Sequence, residues 1–481
     1  HKASRRTKII ATLGPSSLAT ETLIAMIRAG VDLVRINFSH GSTNEQVQLI
    51  HQARHAAKKV GKEIGIIADI QGPKIRIRQF KSGKVTLEKG QHFTLDCSRK
   101  GLGDETVVGI DNPLLYKKVS TEDLLLLDDG LISLKVVSIN RDKIHCVVIV
   151  GGSLRDNKGL NRLGGGLVSS ELSPKSIKDL KTALQANVDY IALSFISKAI
   201  DIEVARKQIA DFGHAAIIAK IECAEALNNI DEIILAADAV MVARGDLGVE
   251  IGPAEVPFEQ KRIIERARKL NRAVITATQM MESMCTKQQP TRAEVSDVAN
   301  AVIDGTDAVM FSAETAIGQY PVSVIETTQK ICLSAEKRRS SFTSGHRLEC
   351  LFNSTNEAIA MAAMYTANHY SVKAIISLTE SGSTPLLMSR IRSNIPIYAL
   401  TSHLKSFRKM TLYRGVFPML FSLERLKDNG LIDKAINQVM TSKLIEPGDN
   451  IIYTRGTNLG HVGETDSLKL IKLKPKILCK V

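Results

Sequence analysis

Eight short apolar runs recur through the first two-thirds of the chain. They are KIIATLG from Lys8, VDLVRINFSHG from Val31, IGIIADI from Ile64, VDYIALSF from Val188, AAIIAKIE from Ala215, DAVMVARGDLG from Asp238, AVITATQM from Ala273 and DAVMFSAET from Asp307. Segments with apolar residues at helical spacing lie between them. Strand-length runs alternating with helix-period segments predict parallel βα units. ATETLIAMIRAG keeps the helical spacing and stops at Gly30. FEQKRIIERARKLNRA does the same with a basic last turn, which suits the negative end of a helix dipole. Eight such units predict a (β/α)8 TIM barrel.

The pattern is interrupted once. After Asp69 and until about Gly166 the runs are short and alternating: KIRIRQF, KVTLEKG, HFTLDC, LISLKVVSI and KIHCVVIV. Turn signals separate them at Ser82-Gly83, Lys89-Gly90, Asp129-Gly130 and Gly151-Gly152. This predicts an antiparallel β domain, of barrel form, inserted after the third strand as residues 72–166. Its return passage, LNRLGGGLVSS, has the glycines of a hinge. The barrel domain is then 1–71 and 167–344. From 345 to 481, helical NEAIAMAAMYTANHY and GLIDKAINQVMTSKL alternate with strand-like VKAIISLT, IPIYALT, GVFPMLF and NIIYTRG, predicting an α/β domain with an open sheet.

Composition removes several classes of function. The formal net charge of +14 would suit a nucleic-acid binder, but the cations are spread along all 481 residues. Aromatics are 4% with no Trp, so stacking platforms for bases are scarce. A basic enzyme that steers anionic substrates accounts for the charge equally well. No run of about 18 apolar residues suggests a membrane span. The basic HKASRRTKII leads into a strand without a signal-peptide core, and seven dispersed cysteines lack a CxxC pair. A cytoplasmic protein with reduced thiols is expected.

In a barrel of this kind catalytic groups come from the C-terminal strand ends. Here those ends carry Arg35, Asn37, Ser39 and His40; Asp69; Lys220 and Glu222; Arg244, Gly245 and Asp246; Thr276 and Thr278; Ser312 and Glu314. Each alone is more simply a salt bridge or a cap. Polar groups at six of eight strand ends are hard to explain by packing. Glu222 and Asp246 close consecutive strands, about 4.8 Å apart, and suit a hard divalent cation such as Mg2+ or Mn2+. Lys220, two residues from Glu222, projects to the same side and can stabilise a developing phosphoryl or enolate charge. Arg35 and Arg76 suit phosphate oxygens. Gly245 lets a backbone N–H approach a carboxylate. Met280, Met281 and Met284 read as core, and Asp231 and Glu232 as an exposed helix face.

The motifs RINFSHG, DIQGPKIR, LLLDDGLISLKV, AKIECAEAL, VMVARGDLGVEI, VITATQMMESM and PTRAEVSDVANAVIDGTDAVMFSAETAIGQYP closely resemble pyruvate kinase, in order and over nearly the whole chain. The resemblance implies phosphoryl transfer from phosphoenolpyruvate to ADP, giving pyruvate and ATP, in a homotetramer whose β domain is a lid. It assigns Glu222 and Asp246 to the divalent cation and Lys220 to the transferring phosphoryl group. It gives Arg35, Gly245, Asp246 and Thr278 to phosphoenolpyruvate, and Asn37, His40, Arg76 and Lys158 to the nucleotide. Ser312 and Glu314 match a region linked to proton delivery to the enolate.

Two departures carry expectations. Many relatives bind K+ at positions matching Asn37, Ser39 and Asp69, and have Thr and Glu where this chain has Ile70 and Lys74. A lysine head at or beside that position would supply the charge permanently, so K+ is expected to be dispensable. SLTESGSTP resembles an effector turn, with Thr379, Ser381, Gly382, Ser383 and Thr384 facing a phosphorylated small molecule. TRGTNLGHVGETDS resembles the facing effector loop only loosely. A carbon–carbon lyase using Mg2+ and an enolate is the competing enzyme class; Arg76 and Lys158, apt for a nucleotide, argue against it.

Overall fold

The computed structural model describes residues 5–72, 74–167, 172–338, 350–422, 428–457 and 464–474. Strands β1 (Lys8–Thr12), β2 (Leu33–Asn37) and β3 (Gly65–Ile70) begin a parallel barrel. The inserted domain supplies β4 (Lys84–Leu87), β5 (His92–Asp96), β6 (Val107–Gly109), β7 (Leu124–Leu127), β8 (Ile132–Asn140), β9 (Lys143–Val150), β10 (Gly152–Arg155) and β11 (Leu160–Arg162). The barrel resumes with β12 (Tyr190–Leu193), β13 (Ala216–Ile221), β14 (Ala239–Ala243), β15 (Ala273–Ala277) and β16 (Ala308–Phe311). It closes in the order β1-β16-β15-β14-β13-β12-β3-β2. All eight expected barrel strands are present.

The strand period of two sorts the barrel side chains. Ile9, Ala11, Val34, Ile36, Ile66 and Val240 face outward and share a core with the surrounding helices. Ile10, Leu33, Ile67, Ala192, Ile218, Met241, Ile275 and Met310 fill the lumen. The next inward position toward the C-terminal ends is therefore Thr12, Arg35, Asp69, Ser194 and Lys220. The polar mouth is the same alternation carried one step further. Thr276 falls on the outward phase instead. It is fully buried and bonds Thr306 Oγ1 at 3.0 Å, so it is not part of the mouth.

The inserted domain packs its own core, from Ile75 to Leu167. Its strands form a six-stranded sheet, β11-β7-β8-β9-β5-β6, and a two-stranded sheet, β10-β4. Two details differ from expectation. The β5–β6 pair is parallel, because a loop rather than a tight hairpin joins them. KIRIRQF is no strand and makes only isolated bridges, Arg76 to Gly159, Ile77 to Ile110 and Phe80 to Gly103. At the outward leg, a Cβ on Gly72 would lie 2.9 Å from Ser194 Cβ and from the Phe195 ring. On the return, Gly164, Gly165 and Gly166 all have positive φ, from 82 to 89°, which L-residues with side chains resist.

The C-terminal unit has β17 (Ala374–Leu378), β18 (Ile397–Thr401), β19 (Val416–Leu420), β20 (Asn450–Gly456) and β21 (Thr465–Lys472), in the order β19-β18-β17-β20-β21. The antiparallel edge strand β21 was not expected from the sequence, because its alternation LKLIK follows directly on the loop motif. This domain packs against the N-terminal face of the barrel, opposite the mouth. Lys8 Nζ donates to the Val416 carbonyl at 2.6 Å, and Tyr190 Oη to the Lys409 carbonyl at 2.6 Å. Arg390 clamps Asp307 with both nitrogens of its fork, the pair being 1% exposed on each side. Among the described residues no helix is long and apolar enough to cross a membrane.

Candidate active site

Three carboxylates and three cations meet at the mouth. Lys220, on β13, is buried. Its Nζ lies 2.8 Å from Glu222 Oε1 and 3.2 Å from Asp69 Oδ1, and donates to Ser194 Oγ at 2.9 Å. Arg35, on β2, donates from Nε to Asp69 Oδ2 at 2.7 Å and from Nη1 to Thr12 Oγ1 at 3.2 Å. Glu222 Oε2 accepts the N–H of Phe195 at 2.8 Å, and Phe195 has a φ of 55°. Lys74, on the outward leg of the lid, lies 3.0 Å from Asp246 Oδ1 and 3.7 Å from Asp129 Oδ1 of the lid.

The electrostatics follow from burial. Desolvation alone would favour proton loss from Lys220, but Asp69 and then Glu222 outweigh it and its pKa ends above the ordinary value. The group is a fixed positive charge at neutral pH, not a base. Burial would raise Asp69, but Lys220 and Arg35 draw it below the usual range. Glu222 moves the other way: burial raises it, Lys220 opposes, and the charge of Asp246 pushes it up further. That like-charge pressure is what a divalent cation between Glu222 and Asp246 would relieve. Among the described residues no group of three or more His, Cys, Asp or Glu side chains is placed to hold a metal ion. Two carboxylates, with the remaining positions left to substrate oxygens and water, fit Mg2+ or Mn2+.

The β14 and β15 ends are held by Arg244. Its guanidinium grips Asp297 at 2.8 Å to both oxygens and donates to the carbonyls of Thr278 at 2.6 Å and Gln279 at 3.1 Å. Thr278 and Gln279 have φ of 67 and 53°, a conformation that needs such support. Thr278 Oγ1 accepts the Gly245 N–H at 2.9 Å. The N–H expected to meet a substrate carboxylate is thus bonded to the hydroxyl assigned to the same substrate.

Other expected residues are placed as follows. Arg76 and Lys158 lie on adjacent lid legs, since Arg76 bridges Gly159 and the Ile77 N–H donates to the Lys158 carbonyl. Arg76 Nη1 donates to the Asn157 carbonyl at 3.0 Å, and Lys158 Nζ is 2.6 Å from Asp128 Oδ1. His40 is exposed in the turn after β2. Glu314 is buried and accepts the N–H groups of Met281 at 3.1 Å and Ser312 at 2.8 Å, which fixes the loop after β15. Met280, Met281 and Met284 are fully buried.

Lys74 requires a correction of geometry. The sequence reading puts its head beside Asn37, Ser39 and Asp69. Its ammonium is instead with Asp246 and Asp129, because both oxygens of Asp69 already take cations, Lys220 and Arg35. Asn37 Oδ1 accepts the Ser39 N–H at 3.0 Å.

In the C-terminal domain, Thr379 Oγ1 accepts the Gly382 N–H at 2.9 Å and Ser381 Oγ the Ser383 N–H at 3.4 Å. Thr384 is turned inward, buried, and bonds Thr465 Oγ1 at 2.6 Å. Residues 458–463 of the facing loop lie outside the described residues.

Sequence reasoning missed Ser194, Thr12 and Glu250. The first two continue the inward phase of β12 and β1, so strict counting of the alternation would have found them. Glu250, in the helix Arg244–Ile251, gave no such signal. It is buried; Oε2 accepts the Ala224 N–H at 2.9 Å, Oε1 accepts from Asn161 Nδ2 of the lid at 3.3 Å, and its carbonyl accepts the Gly164 N–H at 2.9 Å.

Comparison with known proteins bears on the family and the fold. Residues 4–325 match the family model "Pyruvate kinase, barrel domain", and residues 357–471 match "Pyruvate kinase, alpha/beta domain". The pyruvate kinase of Buchnera aphidicola subsp. Baizongia pistaciae is 49% identical over 475 residues, covering 98% of this chain and 99% of the relative. Pyruvate kinase II of Salmonella typhimurium is 48% identical over 478 residues, with 98% and 99% coverage. The crystal structure of a pyruvate kinase from Cryptosporidium parvum superposes with a TM-score of 0.91 at 33% identity, covering 97% of this chain and 96% of that one. The barrel, the inserted sheet domain, the polar mouth and relatives of near-equal length make the chain a phosphotransferase that belongs to the pyruvate kinase family.

Proposed function

We propose that this chain transfers the phosphoryl group of phosphoenolpyruvate to ADP, giving pyruvate and ATP, with a divalent cation held by Glu222 and Asp246. The observation that carries the reading is the buried Lys220 ammonium, held by Asp69 and Glu222 at the centre of the mouth. Phosphoryl transfer needs positioning and charge neutralisation more than covalent chemistry. Lys220 supplies a fixed charge to the transferring group and to the enolate oxygen it leaves behind. Arg35 offers its guanidinium to the phosphate, and Thr278 with Gly245 receives the carboxylate by exchanging their mutual hydrogen bond for bonds to substrate. The bound cation supplies further charge neutralisation at the phosphoryl oxygens.

Arg76 and Lys158 on the lid, with Asn37 and His40 from the barrel, serve the nucleotide. Lid closure excludes water that would otherwise take the phosphoryl group. Ser312, whose N–H is fixed by Glu314, belongs to the path that delivers a proton to the enolate carbon. K+ is dispensable, because Lys74 places a permanent ammonium among the mouth carboxylates. A phosphorylated effector binds the turn from Thr379 to Ser383. That turn follows β17 where the sheet order reverses between β17 and β20, the place where open α/β sheets bind ligands. The working form is a cytoplasmic homotetramer.

The test is ADP-dependent pyruvate formation in a coupled assay with Mg2+ or Mn2+. The rate should persist when K+ is replaced by tetramethylammonium. Collapse of the rate in that buffer would overturn K+ independence alone. Absence of pyruvate formation in every cation mixture would overturn the reaction.

A further inference from the structure

The seam between the barrel and the C-terminal domain encloses a cavity of about 20 Å³. That is room for one occupant of the size of a water molecule. Four guanidinium groups line it: Arg6, just before β1; Arg268, in the helix Val256–Lys269; Arg392; and Arg414, just before β19. Met364, Ile391, Ile395 and Ile397 supply apolar wall, and among the described residues no carboxylate lines it. Cations gathered against apolar walls are costly unless a negative charge answers them.

Arg414 is the group least provided for. It is 8% exposed. Its Nη1 donates to the carbonyls of Val302 at 2.8 Å and Thr306 at 3.2 Å, whereas the buried Nη2 has no hydrogen-bond partner among the described residues. The carboxylates nearby are committed. Asp307 takes the Arg390 fork and the backbone N–H of Arg414. Glu336 takes the backbone N–H groups of Arg6 at 2.9 Å and Thr7 at 2.7 Å. Like charges also press on one another: burial, then Arg392, Arg390 and Arg414, push the Arg268 pKa down to about 9 from 12.5. An anion among these groups would relieve that pressure.

The polar lining also discriminates between a water and an ion. A water must donate as well as accept. The Ser389 hydroxyl already donates to the Leu386 carbonyl at 2.7 Å, the Ser393 carbonyl accepts from Arg6 Nη1, and Ser393 Oγ accepts the Ile395 N–H at 3.1 Å. The group left over, Arg414 Nη2, is a donor, and an occupant that only accepts suits it.

We propose that this cavity holds one chloride ion, bound by Arg414 Nη2 beside Arg6, Arg268 and Arg392. Chloride only accepts hydrogen bonds and is close to water in size, whereas phosphate and sulfate are too large for the space. Arg6 and Arg268 belong to the barrel, and Arg392 and Arg414 to the C-terminal domain, so the ion bridges the two. It stabilises their docking by mass action, as any ligand of the native state alone does. The site is separate from the turn after β17 and depends neither on an effector nor on the reaction at the mouth.

Two measurements test this. Crystals of the full chain soaked in sodium bromide should show an anomalous scattering peak within hydrogen-bond reach of Arg414 Nη2; a cavity without that peak overturns the proposal. In solution, thermal unfolding is followed as chloride replaces gluconate at constant ionic strength. Over about a hundredfold rise in chloride the midpoint should climb by about 2 °C or more. Ser393→Asp keeps an acceptor for the Ile395 N–H and brings its own carboxylate to the cavity, so its midpoint should no longer respond to chloride. Arg414→Gln removes the charge and should lose the response as well. A parent midpoint indifferent to chloride means that the cavity holds water, and a response equal in parent and both variants means that chloride acts elsewhere on the surface; either result overturns the proposal. Should a variant fail to fold, the bromide peak in the parent decides alone.

Discussion

Lys220 is fixed by what surrounds it rather than by its own chemistry. Buried between Asp69 and Glu222, it keeps its proton across neutral pH. Lys220→Met should lower kcat by about 10³-fold with a much smaller change in the KM for phosphoenolpyruvate, since the lost interaction belongs to the transition state. Steady-state kinetics at saturating Mn2+ would check this. The same change leaves two buried carboxylates without their shared cation, so stability without divalent cations should fall by roughly 3 kcal/mol. Urea unfolding would measure it. For Lys74, replacement by an acid removes the built-in ammonium. Lys74→Glu should cut the rate severalfold in K+-free buffer and recover with KCl; a variant equally slow with and without KCl would mean that Lys74 acts only on Asp246.

At the scale of elements, the helix Arg244–Ile251 joins three parts of the machine. Its first residue pins the loop after β15, Asp246 reaches Lys74, and Glu250 ties the lid strand β11 to the segment after Glu222. Among the described residues the Glu250 carboxylate has N–H donors, Ala224 and Asn161, as partners, and burial raises its pKa. The native state therefore holds a proton that the unfolded chain has released, between the ordinary Glu value near 4.5 and the raised one. Stability from this group is present below that window and is lost as pH rises through it. Glu250→Gln should flatten that decline and leave the variant at least as stable as the parent at pH 7, by thermal unfolding from pH 4 to 8. Activity should fall, because one N–H partner changes and the lid loses its anchor. A variant with parental activity would show that the lid does not depend on this tie.

Across the whole molecule, the barrel lumen and the C-terminal domain share one apolar core. Lys8 sits at that seam, donating to Val416 with its ammonium 4.6 Å from the centre of the Phe417 ring. Burial pushes its pKa down to about 8 from 10.5. The native state sheds this proton before the unfolded chain does, so stability should rise with pH from about 8 to 10.5. The ceiling on that rise is on the order of 3 kcal/mol. Lys8→Gln keeps a donor for Val416 without the charge. It should show no such rise, in denaturant titrations at pH 7.5 and 10.

The alternation of apolar and polar residues was enough to count eight barrel strands, to locate the insertion after Asp69, and to place Arg35, Asp69, Lys220 and Glu222 at one mouth. These are local properties: a strand repeats every two residues whatever its neighbours are. Asp246 became a candidate as the carboxylate after the next strand, Arg76 as a cation suited to phosphate oxygens, and Lys158 through the family resemblance alone. Partner choice was not legible, because it depends on contacts between residues far apart in the chain. Only the tertiary structure sent Lys74 to Asp246, buried Thr384 against Thr465, and gave Glu250 one oxygen on the lid and one on the barrel. Alternation along a strand determines which way each side chain points; packing decides which group it meets there.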